Sequence, residues 1–326
     1  MSTVVTGANN CLGHHLLNLL PHDQGEIISL SSSLPPESLR LSHVRYAVVD
    51  FSDYKQMLAL LSEWKPAEVY HLLSQEFSLG MTGMKPAAQL QFFPGCAHNL
   101  FEALRHAAPN ARVLLVSSSE IYGGGRGITD IVHRESDPAL PLTHYATAMA
   151  SCELLARQFM FAHDLDIVIA RPFGVTGPYQ DRKFVLPSAA SQIASVELLE
   201  GETVIYTGNL DVSRDYLDAR DQARAMALLI KRGHAGEIYN VCSGKARTLR
   251  DLVQFLIGLS RCPIEIRVDP ALERPLDIPL LVGSPEKLMA LTGWKPLISL
   301  EDSLRDLYSE VKLRVMSEHQ ETSGTR

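Results

Sequence analysis

The sequence predicts a doubly wound parallel α/β fold. Three observations carry that prediction: short apolar runs recur along the first half, amphipathic stretches separate them, and a glycine-bearing turn follows the first run at once. The runs are Thr3–Val5, Ile27–Ile28, Tyr46–Val49, Val69–Leu72, Val113–Val116 and Ile167–Ala170. Each is short enough for a buried strand and bounded by polar or turn residues. Between them, apolar residues three and four apart predict helices over 12–20, 54–63, 86–107 and 144–163. Connections of that length suit right-handed crossovers between parallel neighbours.

After Pro172 the rhythm changes. A Gly/Pro-rich stretch (Gly174, Gly177, Pro178) precedes helical segments near 185–199 and 218–232 mixed with short strands, and a last amphipathic helix spans 299–316. The expected division is a first domain over 1–172, a smaller C-terminal α/β lobe over 173–316, partly interleaved with it, and a disordered polar tail over 317–326.

Composition limits the function. The chain has 326 residues, 46% hydrophobic and 21% charged, which is enough to bury a large core. A net charge of −7 argues against a nucleic-acid surface, so an anionic ligand has to be met by local arginines. Five scattered cysteines without a C-x-x-C pair give neither a zinc site nor a disulfide framework, and a reducing, cytoplasmic location is expected. The twelve histidines show no metal-ligand spacing, so no metal is expected. No run reaches the roughly 18 apolar residues of a membrane span, and Met1 leads into a strand without a basic leader.

Directly after the first strand comes Thr6-Gly7-Ala8-Asn9-Asn10-Cys11-Leu12-Gly13, opening onto an apolar helix. A strand, a tight turn and a helix N-terminus bring backbone N–H groups and the helix dipole to a pyrophosphate. The loop resembles the T-G-x-x-G-x-x-G loop of the short-chain dehydrogenases, with Asn10 in place of the middle glycine. Asparagine tolerates a left-handed backbone at least cost after glycine, so a left-handed Asn10 is expected to keep the turn. Ser31 falls where an acidic residue takes the ribose hydroxyls of NAD. A serine there, with Arg40 nearby, favours NADP over NAD, and Asp50 matches an adenine-contacting aspartate.

Strand 113–116 runs into Ser117-Ser118-Ser119-Glu120-Ile121-Tyr122-Gly123, and Tyr145 begins a helix. This pattern resembles the active site of the extended short-chain dehydrogenase/reductase family, the NAD-dependent epimerases and dehydratases. By that resemblance Ser118 positions a sugar hydroxyl, Tyr145 is the general acid/base, and Glu120 stands where 4,6-dehydratases carry the carboxylate that abstracts a C5 proton. Two members depart. Relatives read Y-x-x-x-K where this chain reads Tyr145-Ala146-Thr147-Ala148-Met149, and Phe93 stands where they carry asparagine. An unperturbed phenol titrates near about 10, and each unit of lost depression costs tenfold in reactive population, so hydride chemistry is expected to be slow.

Later segments extend the resemblance along nearly the whole chain. Arg171-Pro172-Phe173-Gly174-Val175-Thr176-Gly177-Pro178, then 208–218, 239–244 and 292–296, are most similar to the GDP-4-keto-6-deoxymannose reductases and GDP-mannose 4,6-dehydratases, with Gly174 replacing an asparagine. The resemblance implies a Rossmann-type cofactor domain touching dinucleotide through Gly7, Asn9, Asn10, Cys11, Leu12, Gly13, Ser31, Asp50, Phe51, Leu72, Leu73, Ser74, Tyr145 and Pro172. It implies a sugar-nucleotide site at Ser119, Gly174, Lys183, Val185, Arg214 and Arg274, the two arginines gripping the diphosphate. It also implies a homodimer through helices 86–107 and 144–163. Three readings stay open: a GDP-hexose oxidoreductase acting at C4 through NAD(P), a redox-silent nucleotide-sugar epimerase or lyase, and a non-catalytic binding or regulatory subunit.

Overall fold

A parallel strand cannot pair with its sequence neighbour through a hairpin, so each apolar run needs a crossover and a helical cover. The computed structural model of the chain describes residues 2–73, 85–124, 132–199, 202–273 and 277–324. Its strands are β1 (Ser2–Thr6), β2 (Ile27–Ser31), β3 (Val44–Val48), β4 (Pro66–His71), β5 (Arg112–Val116), β6 (Val132–His133), β7 (Asp166–Pro172), β8 (Gly174–Thr176), β9 (Val204–Thr207), β10 (Ser213–Asp218), β11 (Ile238–Val241), β12 (Ala246–Thr248), β13 (Glu265–Val268) and β14 (Leu280–Gly283). The helices are α1 (Cys11–Leu19), α2 (Tyr54–Trp64), α3 (Pro86–Ala107), α4 (His144–His163), α5 (Val185–Leu199), α6 (Ala219–Arg232), α7 (Leu249–Gly258), α8 (Glu286–Thr292) and α9 (Leu300–Gly324).

Seven strands form one parallel Rossmann-type sheet in the order β11-β7-β5-β4-β1-β2-β3. The chain winds outward from β1 through β2 to β3 and then crosses back to β4 on the other side of β1, which makes the carboxyl ends of β1 and β4 the switch point where such sheets open a ligand crevice. One face is covered by α2, α3 and α4 through Met57, Leu61, Phe93, Leu100 and Phe159. The other is covered by α1, α6 and α8 through Leu12, Leu16, Met226, Leu229 and Leu288, with Trp294 buried among them. A separate core joins α5, α7 and α9.

Local chemistry sets the helix ends that matter for the site. Thr143 caps α4 by accepting from Ala146 N, and Asp164 closes it in the left-handed region at φ 56°. Asp53 caps α2 in the same way, accepting from Lys55 N and Gln56 N.

Within the span 173–316, expected to be partly interleaved with the first domain, α6 packs beside α1 and the following β11 becomes the edge strand of the large sheet. Where a disordered tail was expected from 317, α9 continues to Gly324, and Arg182 binds Glu318 with two hydrogen bonds of 2.8 Å each. Glu, His and Gln are adequate helix formers, and that ion pair ties the extra turns to the loop before α5. All five cysteines are free. Among the described residues no helix is long and apolar enough to cross a membrane, and no His/Cys/Asp/Glu group is placed to hold a metal.

Candidate active site

The glycine loop lies at the carboxyl end of β1, against the end of β4. Gly7 has φ +69°, and a Cβ there would lie 2.4 Å from the Cα of Leu73. Gly13 is equally constrained, since its Cβ would fall 2.3 Å from the carbonyl oxygen of Ala8. These two glycines are therefore obligatory. The residue between them is not. Asn10 is extended, at φ −155° and ψ 172°, and acts as the N-cap of α1, contrary to the left-handed role expected of it. Its Oδ1 accepts from Gly13 N at 2.9 Å and its Nδ2 donates to the Gly7 carbonyl at 2.8 Å. An asparagine is among the best N-caps, so the substitution closes the turn.

Buried contacts support this loop from beneath. Thr6 Oγ1 lies 2.6 Å from His71 Nδ1, and burial holds His71 down to about 4. Leu72 N donates to the Thr6 carbonyl at 2.8 Å. Ser31, the last residue of β2, is buried and its Oγ accepts from Ala8 N at 3.1 Å, while Asn9 Nδ2 donates to the Ser33 carbonyl at 2.5 Å. Beyond β3, Asp50 is exposed and Phe51 is buried. Ser52, donating to Asp50 Oδ1 from both its hydroxyl and its N–H, lowers the Asp50 carboxyl. Asn99 on α3 holds this segment by donating to the carbonyls of Phe51 and Ser52. Arg40 donates to the Pro35 carbonyl at 3.0 Å and is exposed.

A cavity of 480 Å³ opens on the α1 side of the loop, lined among others by Asn9, Cys11, His14, Pro35, Tyr179 and Arg182. Its size suits part of a nucleotide. Tyr179 holds a left-handed backbone at φ 67° and its ring lies 4.5 Å from that of His14. A two-glycine turn, a capped helix N-terminus and this adjacent cavity together fit a dinucleotide pyrophosphate.

The residues that the resemblance casts as acid and base sit further along the same sheet edge. Ser118 follows β5 and caps the short turn Ser119–Tyr122, its Oγ accepting from Glu120 N at 3.2 Å. That turn packs on α4, which carries Tyr145. Ser118 and Ser119 are buried, and Glu120 is half-buried. Tyr145 is only 3% exposed and meets the ring of Phe93 edge-on, with centroids 5.8 Å apart and an interplanar angle of 82°. Met149, one turn on, is 2% exposed within the same apolar cluster. One turn further, Glu153 accepts from Arg171 Nε at 3.0 Å and Nη2 at 2.7 Å, both side chains being buried. The Arg171 guanidinium also lies over the Tyr122 ring at 4.8 Å.

On the side expected to take substrate, Gly174 begins β8, which pairs with β10. A Cβ at 174 would lie 2.8 Å from both the Asp215 carbonyl oxygen and the Tyr216 ring, so the asparagine of relatives has no room on this backbone. Arg214 donates from Nη1 to the carbonyls of Ser213 and Ile278 and lies 3.9 Å from Asp277, an arrangement that already orients it. Lys183 is exposed, Val185 opens α5 half-buried, and Pro172 is buried at the end of β7. Ser74 and Arg274 lie outside the described residues.

The model of the family described as GDP-mannose 4,6 dehydratase matches residues 4–307. The chain belongs to that family. The GDP-6-deoxy-D-mannose reductase of Pseudomonas aeruginosa is 34% identical over 253 residues, 78% of this chain and 83% of the relative. The structure of RMD from Pseudomonas aeruginosa complexed with NADPH superposes with a TM-score of 0.81 at 30% identity, covering 96% of this chain and 99% of that one. The Thermus thermophilus UDP-glucose 4-epimerase complex with NAD gives a TM-score of 0.83 at 25% identity, covering 96% and 99%. Within this family fold, sequence reasoning missed Asn99 and the Glu153–Arg171 pair. A charge inside the apolar run Ala150-Ser151-Cys152-Glu153-Leu154-Leu155-Ala156 was the available signal for the pair.

The capping role of Asn10 has a signed consequence. Replacing a capping asparagine by alanine costs about 0.5–2 kcal/mol and by glycine a few tenths, whereas glycine at a left-handed asparagine stabilises. Urea unfolding should therefore rank wild type above Asn10→Gly and Asn10→Gly above Asn10→Ala. A more stable Asn10→Gly would contradict the cap.

Proposed function

We propose that the chain is a nucleotide-sugar oxidoreductase acting at C4 of a GDP-hexose, of the 4-keto-6-deoxy-sugar reductase or 4,6-dehydratase type, with NADP favoured over NAD. The observation that carries this reading is the intact cradle at the sheet's switch point, on the same edge as the Ser118 turn and Tyr145. Gly7, Asn9, Asn10, Cys11, Leu12 and Gly13 hold the pyrophosphate. The adenosine end runs past Ser31, Asp50, Phe51, Leu72, Leu73 and Ser74, where Ser31 presents no carboxylate to repel a 2′-phosphate. Pro172 and Tyr145 border the nicotinamide end. Bound there, the dinucleotide supplies or accepts a hydride.

The chain's own residues supply the rest. Ser118 positions the oxygen at C4, Tyr145 moves its proton, and in a dehydratase Glu120 would take the C5 proton. Arg214 and Arg274 grip the diphosphate by charge-assisted hydrogen bonds, with Ser119, Gly174, Lys183 and Val185 lining the sugar-nucleotide. A redox-silent epimerase or lyase is the second reading, favoured by the apolar Met149 and Phe93 beside Tyr145.

A single turnover with C4-deuterated NADPH and GDP-4-keto-6-deoxymannose separates the two. Deuterium at C4 of the product is expected of a reductase, and an unlabelled or unchanged sugar here, with GDP-mannose also left unconverted in the presence of NADP, would sink the redox reading. In the same assay Arg214→Ala should raise the half-saturating sugar concentration about tenfold, the loss of one charge-assisted bond.

A homodimer through α3 and α4 is also proposed. Leu154 and Phe161, seven residues apart and so on one face of α4, are 66% and 89% exposed, an apolar stripe that a second copy would cover. Light scattering should find twice the 36.0 kDa chain mass, and a single-chain mass at micromolar concentration would exclude this interface.

A further inference from the structure

We propose that Tyr179 is a dinucleotide-binding residue, its ring forming the outer wall of the cavity on the adenosine-ribose side, and that one face of α9 positions it there. This inference rests on the dinucleotide reading above and adds a contact to it from outside the glycine loop and the strand ends.

The backbone at Tyr179 carries the first part. It holds φ 67°, in the left-handed region, which a bulky side chain enters only when its surroundings impose it. What that conformation accomplishes is the placing of the ring. The ring lies 4.5 Å from that of His14 on α1 and lines the 480 Å³ cavity. Tyr179 is nevertheless 38% exposed, so ring surface is left for a ligand to cover.

The opposite wall says which part of the ligand that is. Asn9 and Asn10 belong to the turn at the N-terminus of α1, while Ser33, Leu34 and Pro35 follow β2, and Asn9 Nδ2 ties the two by donating to the Ser33 carbonyl. A dinucleotide with its pyrophosphate on the turn carries its adenosine ribose past the end of β2. Asp50 and Phe51, proposed above for the adenosine end, do not line this cavity. The ring of Tyr179 therefore flanks the ribose and leaves the base to the other side.

The second part lies in α9. Glu310, Arg314 and Glu318 stand four residues apart and so share one face of the helix. Each holds a different point of the loop 179–182. Glu310 Oε2 accepts from Tyr179 N at 3.3 Å, Arg314 Nη2 donates to the Gln180 carbonyl at 3.3 Å, and Glu318 accepts from both terminal nitrogens of Arg182 at 2.8 Å each. From the other side, the buried Gln180 donates to the Val175 carbonyl at 3.0 Å. Such over-determination is what a strained tyrosine needs in order to persist. All three gripping residues follow residue 307, where the match to the family model ends.

Calorimetric titration with NADPH and with adenosine 2′,5′-bisphosphate, which is the adenosine half alone, tests both parts. Tyr179→Asn removes the ring and keeps a residue that tolerates a left-handed backbone. It should weaken both ligands about tenfold, the value of covering roughly 50 Å² of apolar surface. Tyr179→Phe keeps the ring and should restore binding to within about twofold of wild type. Glu310 does not line the cavity, so Glu310→Ala acts through the loop. Alone it should weaken NADPH about threefold, and combined with Tyr179→Asn it should add nothing.

A Tyr179→Asn chain that binds NADPH as tightly as wild type overturns the inference and leaves the dinucleotide reading standing. So does a loss confined to NADPH, which would put the ring at the nicotinamide half. Additive losses in the double variant overturn the positioning role of α9. A wild-type chain that binds neither ligand overturns the dinucleotide reading as well.

Discussion

Between Gly7 and the backbone of Leu73 there is no space for a Cβ, and the architecture of the nucleotide side depends on that closeness. It lies at the carboxyl ends of β1 and β4, where the parallel sheet reverses its winding and its edge splays open. With a side chain at position 7, β1 could not feed the loop back over β4, and α1 would not aim its free N–H groups into the opening. The supporting contacts converge on the same point. His71 stays neutral beneath Thr6, Leu72 ties β4 to β1, and Asn10 closes the turn from above. Because burial lowers His71 from its ordinary value to about 4, the folded state binds fewer protons than the unfolded one across that interval. Stability at this point is thus complete at neutral pH and declines as pH falls through that range.

The nucleotide side and the proton-transfer side follow different rules. The first is built from backbone groups, which no ordinary substitution removes, so it survives a changed glycine. The second, as proposed, is built from side chains: Phe93 meets Tyr145 edge-on and Met149 lies in the same buried cluster.

Much of the fold was legible because its signals are local. The spans 86–107 and 144–163 emerge as α3 and α4 without change, since uninterrupted apolar spacing and a capping threonine act within a few residues. The return of α6 and β11 to the large sheet was not legible, because a segment's sheet partner is set by packing far along the chain. Asn10 was misread for a related reason: a glycine motif reports where glycines usually stand, not which of them needs a left-handed backbone. The loss of asparagine at Gly174 similarly became intelligible only once Asp215 and Tyr216 were seen against it.

The central claim is that the cradle at the switch point binds dinucleotide with Phe93 and Met149 packed beside Tyr145. Native mass spectrometry of the purified chain, titrated with NADPH and with GDP-mannose, tests it most directly. The account predicts a complex carrying dinucleotide and nucleotide-sugar together on each chain. A chain that takes up GDP-mannose but shows no NADPH-bound species at saturating cofactor would contradict it.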